Sequence, residues 1–180
     1  MSAIDKIKQK ILYEICVDLS DLFDKSFETK SFNNKPWKNR KIDIRGTLMM
    51  QTGTLRRSLK ASINGNTIQW TSNLPYAKIQ NEGGKIKVTP KMKKYFWAKY
   101  RELTPKIKRK KNGELMKSSL GVSKIANFYK AMALKPIGSF ITIPQRQFIG
   151  FSPETDKRIK NIINTNMQKL ADAIIKHSKK

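Results

Sequence analysis

The sequence predicts an α+β protein in which a small mixed or antiparallel sheet packs with long N-terminal and C-terminal helices. Three observations carry this. Apolar residues recur at three- and four-residue steps from Ile4 to Phe23, and again from Ile159 to Ile175. Between these stretches, Ile68 and Trp70 alternate with Thr67, Gln69 and Thr71 just after an Asn64-Gly65 pair, the pattern of a hairpin with one wet face.

Taken in order, Ala3 to about Phe27 forms the first helix, with Ile4, Ile7, Ile11, Leu12, Ile15, Leu19, Leu22 and Phe23 on one stripe. Cys16 lies at its edge as a small hydrophobe. Glu28 to Gly46 loses the period and reads as a basic, polar loop anchored by Trp37. Thr54 to Lys60 is a short helical segment with Leu55 and Leu59 on one side and Thr54 as its cap. Ala61 to Ser72 is a hairpin turning at Asn64-Gly65, both of which tolerate positive φ. Pro75 to Asn81 is a short helix ended by Gly83-Gly84.

Lys85 to Thr89 is a strand, with Ile86 and Val88 facing one way. Lys91 to Leu103 is a helix that buries Met92, Phe96 and Leu103, with Tyr95 nearby. Pro105 to Ser119 is low in apolar residues and crowded with like charge, which reads as a mobile loop. Val122 to Leu134 is helical, Pro136 and Gly138 break it, and Ser139 to Ile143 is a strand. The last helix opens at Ser152-Pro153-Glu154, an N-cap, a first-turn proline and an acid at the positive end of the dipole. The expected organisation is one domain over residues 1–180, with a basic helical insertion at about 85–135.

Charge dominates the composition: 38 Lys and Arg against 13 Asp and Glu, formally +25 in 180 residues. Twelve of the cations, with the single acid Glu102, lie between Lys85 and Lys111. Such a surface attracts polyanions and releases counterions on meeting nucleic acid, although a lysine-rich chain can also simply carry a solvated face. No apolar run reaches the 18 or so residues that a membrane span needs, so no membrane partner is expected. The start, MSAIDKIKQK, has helical spacing and not the continuous apolar block of a secretory signal. The mature chain is expected to begin at or near Met1 and to be made in a cytoplasm.

Catalytic constellations are hard to assemble from these residues. His177 is the one histidine and falls in the last helical turn; Cys16 is the one cysteine. The acids are scattered, and although Asp18, Asp21 and Asp24 share one side of the first helix, nothing else supports a metal there. Gly83-Gly84 lacks the context of a phosphate loop. No catalytic residue, metal site or cofactor is therefore expected. The stretch KKYFWAKYR, Lys93 to Arg101, interleaves aromatics with cations as base stacking requires, but its helical period favours a core face of aromatics with a wet lysine face.

Several segments, in order, resemble the virion morphogenesis family of Mu-like phages, which is related to the tail completion proteins of other tailed phages. They are Pro36-Trp37, then LMMQTGTLRRSL from Leu48 to Leu59, with Gly53 and Leu55. Next is PYAKIQNEGG from Pro75 to Gly84, with Tyr76, Ala77, Asn81 and Gly83. The most distinctive is the run Ile143-Pro144-x-Arg146-x-Phe148-Ile149-Gly150-x-Ser152 before the last helix. Gln80 stands where the family commonly carries His, which argues against histidine chemistry at that position.

The resemblance implies a tail-completion-like α+β fold and a non-enzymatic structural part of a tailed-phage virion. That part would complete the tail or join head to tail as a homo-oligomeric, hexameric ring at the neck or the head-proximal end of the tail. Its partners would be copies of itself and other neck and tail proteins, and it would reside in the host cytoplasm before assembly. Physically, the shared residues suit turns and core: Tyr76 and Ile79 would seat the short helix, Pro144 would end a strand, Arg146 would reach a carboxylate or carbonyl, and Phe148 and Ile149 would pack under the last helix. The alternative function is a basic protein contacting genomic DNA phosphates without sequence preference through Lys106, Lys108, Arg109, Lys110 and Lys111.

Overall fold

The computed structural model of the protein describes residues 3–40, 42 and 46–178. It is α+β, with long terminal helices and three two-stranded antiparallel sheets. The chain forms two compact units: one from Met1–Trp37, Met49–Glu82 and Arg146–Lys180, the other from Lys38–Leu48 and Gly83–Gln145.

The first unit is built on α1 (Ala3–Thr29) and α6 (Pro153–Ser178). Ile15, Leu19 and Phe23 of α1 form the buried core with Phe32, and Ile68, Trp70, Ile149, Ile159 and Ile162 pack against it. The apolar period of α1 runs one step further than Phe23, to Phe27, which is fully buried. Two polar links join the helices: Arg158 Nη1 donates to Asp18 Oδ1 at 3.0 Å and Asn166 Nδ2 to Glu14 Oε2 at 2.6 Å.

The segment after α1 is not all loop. Ser31–Phe32 (β1) and Lys35–Pro36 (β2) make a minimal hairpin, and Asn33 and Asn34 turn it with φ of 49° and 59°. Two adjacent asparagines, which tolerate the left-handed region, are the local cause. Helix α2 (Thr54–Ser58) is capped by Gly53 at φ 71°, not by Thr54, and Leu59 is already extended. Thr54 is the first helical residue, so its hydroxyl lies past the capping position.

The next hairpin pairs Lys60–Asn64 (β3) with Thr67–Thr71 (β4), Ile63 opposite Ile68 and Ala61 opposite Trp70. Its two turn residues are Gly65 and Asn66, one later than the expected pair. Only Gly65 takes positive φ, at 59°, so the turn has glycine at its first central position. Asn64 stays in the ladder. Trp70 Nε1 donates to Ser20 Oγ at 3.0 Å and seats the hairpin on α1. Helix α3 (Ala77–Glu82) completes this part of the unit.

The second unit holds β5 (Gly84–Lys87) against β6 (Phe140–Ile143), with Gly84 opposite Ile143 and Lys87 opposite Phe140. Val88 extends the pairing beyond the ladder, donating to Ser139 O at 2.8 Å and accepting from Gly138 N–H at 3.0 Å. Thr89 belongs to the next element, because its Oγ1 accepts from Met92 N–H at 3.2 Å and caps α4 (Pro90–Leu103). Helix α5 (Leu120–Leu134) packs on α4.

The segment between these helices, expected as a loop, is built on a turn and a single bridge. Asn112 and Gly113 turn the chain, Gly113 at φ 83°, and Arg109 pairs with Leu115 in a β-bridge. Lys110 N–H donates to Glu114 O at 2.8 Å and Met116 N–H to Lys108 O at 3.1 Å, so local hydrogen bonds close the turn. Among the described residues, no helix is long and apolar enough to cross a membrane.

Candidate functional site

Within the first unit, several of the singled-out residues converge on one joint. Trp37 is buried, and its Nε1 donates to Gln147 O at 2.6 Å. Its ring meets Phe27 edge-on at 5.7 Å, and Phe27 lies 5.1 Å from Phe148. Asn81 Oδ1 accepts two backbone N–H groups, from Phe148 at 2.9 Å and Ile149 at 3.1 Å, while Arg146 N–H donates to Gln80 O at 2.9 Å. The Asn81 amide and the Gln80 carbonyl together hold the segment 146–149, which lies outside the strands described. Arg146 is buried.

The remaining motif residues sit around this joint or elsewhere. Leu55 and Ala77 are buried, whereas Tyr76 is 41% exposed. That corrects the expectation that Tyr76 seats the short helix: Ala77 N–H closes a turn on Leu74 O at 3.0 Å, α3 begins there, and the inward position passes to Ala77. In the second unit, Gly83 has φ 73°, and a Cβ there would stand 2.8 Å from Gln145 N, so glycine is required twice over. Pro144 directly follows β6. Gly150, at φ 134°, would place a Cβ 2.7 Å from the flexible end of Gln147.

Ser152 opens α6 with a reciprocal cap. Its Oγ accepts from Thr155 N–H at 3.1 Å, and Thr155 Oγ1 accepts from Ser152 N–H at 2.8 Å. Thr155 thus fills the place that Glu or Gln takes in the usual capping box. Ser152→Ala is expected to cost about 1 kcal/mol, read as a lowered urea midpoint; an unchanged midpoint would show the cap to be dispensable.

An apolar cavity of about 430 Å³ lies between α1, the β3–β4 hairpin and the start of α6, lined by Leu12, Ile15, Phe23, Trp70 and Ile159 among others. Among the described residues its lining is mostly apolar side chains, which suits packing.

Three acids of α1, Asp18, Asp24 and Glu28, are held by arginines. Arg56 bonds Asp24 through two nitrogens and reaches Glu28 at 2.8 Å. The hydrogen bond to Asp24, then that to Glu28, raises the pKa of the guanidinium, which stays charged. Asp18 is engaged by Arg158, itself bonded to Glu154 at 2.8 Å. Asp18 and Asp24 are thus ion-pair partners in the fold. Among the described residues, no group of three or more His, Cys, Asp or Glu side chains is placed to hold a metal ion. The side chain of His177 lies outside those described.

The second unit gathers the basic residues. Sixteen cations and two acids fall between Gly83 and Gln145, against twenty-two and eleven in the rest of the chain. Lys106 pairs with Glu102 at 3.6 Å, Lys110 with Glu114 at 3.0 Å, and Arg109 Nη1 donates to Gly113 O at 2.8 Å; Lys108 and Lys111 are exposed. On α4, Phe96 lies 6.4 Å from Tyr129 of α5, Trp97 meets Tyr100 edge-on at 5.7 Å, and Lys130 Nζ stands 5.9 Å from the Tyr100 ring. Burial, and then the neighbouring Tyr95, raises the pKa of the Tyr129 phenol, so it stays neutral.

Sequence reasoning missed Phe27, Arg56 and Arg158. Phe27 follows Phe23 by four residues, so the helical period already pointed to it. The contacts of Arg56 with Asp24 and of Arg158 with Asp18 carry no such signal, because the partners are 32 and 140 residues away, and the local Glu154–Arg158 spacing gives only the pair within α6.

No curated protein and no solved structure significantly matches this chain. Residues 25–168 match the phage virion morphogenesis family. That span contains the Trp37–Asn81–Phe148 joint, the α6 cap and the basic helical hairpin, and covers well over half of the sequence. The chain belongs to the phage virion morphogenesis family.

Proposed function

We propose that this virion morphogenesis protein is a non-catalytic structural part of a tailed-phage particle. It completes the tail or joins it to the head, as a hexameric ring of its own copies at the neck or the head-proximal end of the tail. Family membership supports the structural role. The observation that supports assembly is the outer row of α6: Ile163, Met167 and Ile174 recur at four- and seven-residue steps and are exposed. This row is distinct from Ile159 and Ile162, which face the core, so burying it needs another surface. Phe151, 80% exposed just before α6, adds to the apolar surface of this unit. Neighbouring neck and tail proteins would take the remaining faces.

Met167→Lys with Ile174→Lys tests this directly. The pair is expected to shift the assembled protein to monomer in light scattering, and to leave phage that depend on it with unjoined heads and tails. An unchanged oligomer together with normal particles would defeat the proposal, as would absence of the protein from purified virions.

A further inference from the structure

The second unit presents a row of exposed cations on α4. Helix α4 packs on α5 through the side that holds Phe96. Its other side presents Lys91, Lys94, Ala98 and Arg101, all exposed, at steps of three, four and three residues. That spacing keeps them in one line, about 15 Å from end to end at 1.5 Å per residue. None of the three cations has an ion-pair partner among the described residues, and the adjacent Glu102 is occupied by Lys99 at 2.7 Å and Lys106 at 3.6 Å. Ala98, in the middle of the line, lets the helix backbone approach a flat partner.

We infer that this row on α4 binds the phosphate backbone of double-stranded DNA, without sequence preference. Complementarity of charge selects a polyanion, because the stretch from Gly83 to Gln145 holds sixteen cations and two acids. The state of the aromatic rings selects a duplex over a single strand. Trp97, Tyr100, Phe96 and Tyr129 are engaged with one another, and Tyr100 also with Lys130, so their faces are not laid out as a platform for bases. The straight row needs only an evenly charged partner. In the segment after α4, Lys106 and Lys110 are paired and Arg109 braces its own turn, so that segment contributes less than α4.

The test uses the full-length protein and a fluorescently labelled duplex of random sequence, with anisotropy followed from about 50 to 200 mM salt. Affinity is expected to fall linearly on a log–log plot. The triple variant Lys91→Ser, Lys94→Ser, Arg101→Ser should reduce that slope by about 2 to 3, one phosphate contact per cation. The single variant Lys94→Gln should reduce it by about 1, and serves as the reading if the triple variant loses its helical circular dichroism. Lys108→Ser with Lys111→Ser should change the slope less than the triple variant does. Three results would overturn the inference: no binding at the lowest salt, slopes unchanged in both α4 variants, or competition by polyglutamate as strong as by unlabelled duplex, which would assign the row to an acidic protein. Preference for single strands over duplex would also count against it.

Discussion

Phe148→Ala should lower the stability of the first unit by about 3 to 5 kcal/mol. Phe148 is 1% exposed and its ring lies 5.1 Å from that of Phe27, which is fully buried and in turn meets Trp37. Removing the ring takes away its transfer free energy and leaves a void that the neighbours cannot readily close. Phe27 is fixed on α1, and Trp37 is held by its bond to Gln147 O. The measurement is urea unfolding in a Trp97→Phe background, so that Trp37 and Trp70, both in the first unit, supply the fluorescence. Phe148→Leu, which keeps most of the apolar volume, should fall between the wild type and Ala. A midpoint unmoved by Phe148→Ala would mean that this ring is not part of the core that unfolds cooperatively.

Asn81→Leu is expected to cost about 2 to 3 kcal/mol, although it preserves volume and adds apolar surface. Two N–H groups, of Phe148 and Ile149, would lose their acceptor at once, and residues 146–149 have no strand to take its place. The site is half-buried, so water can compensate in part, which puts the cost toward the lower end for two orphaned donors. Asn81→Asp keeps an acceptor at the same position and should retain most of the stability. Equal losses in Leu and Asp variants, read by the same unfolding experiment, would show that something other than the acceptor matters here.

These two sites differ in how visible they were beforehand. Phe148 stands in a motif whose apolar residues announce a core, and the resemblance to the family singled out Asn81 without giving a reason for it. The reason is geometric: one carbonyl oxygen serves two amides 67 and 68 residues further along the chain. Tyr76 shows the opposite failure, a large ring that invites a core role but sits in the turn before α3, where Ala77 takes the inward place. The charge of the segment from Lys106 to Lys111 pointed to a loop without showing how it turns. Its Asn112-Gly113 turn was in the sequence, and a turn signal outweighed repulsion between solvated lysines, which water and Glu102 and Glu114 screen.

By itself the sequence determined the elements and the family: the periods of α1 and α6, the two glycine-turned segments around Gly65 and Gly83, the Ser152 cap, and the ordered motifs from Trp37 to Ser152. These are local properties, set by side-chain spacing and by the few residues that tolerate positive φ. Only the tertiary structure decided that Asn81 holds Phe148 and Ile149, that Arg56 and Arg158 engage Asp18, Asp24 and Glu28 of α1, and that Lys91, Lys94 and Arg101 stand clear in one row while Lys99, Lys106 and Lys110 are paired. Each of those outcomes depends on which distant residues meet, and on which face of a helix is left uncovered once its core side has been packed.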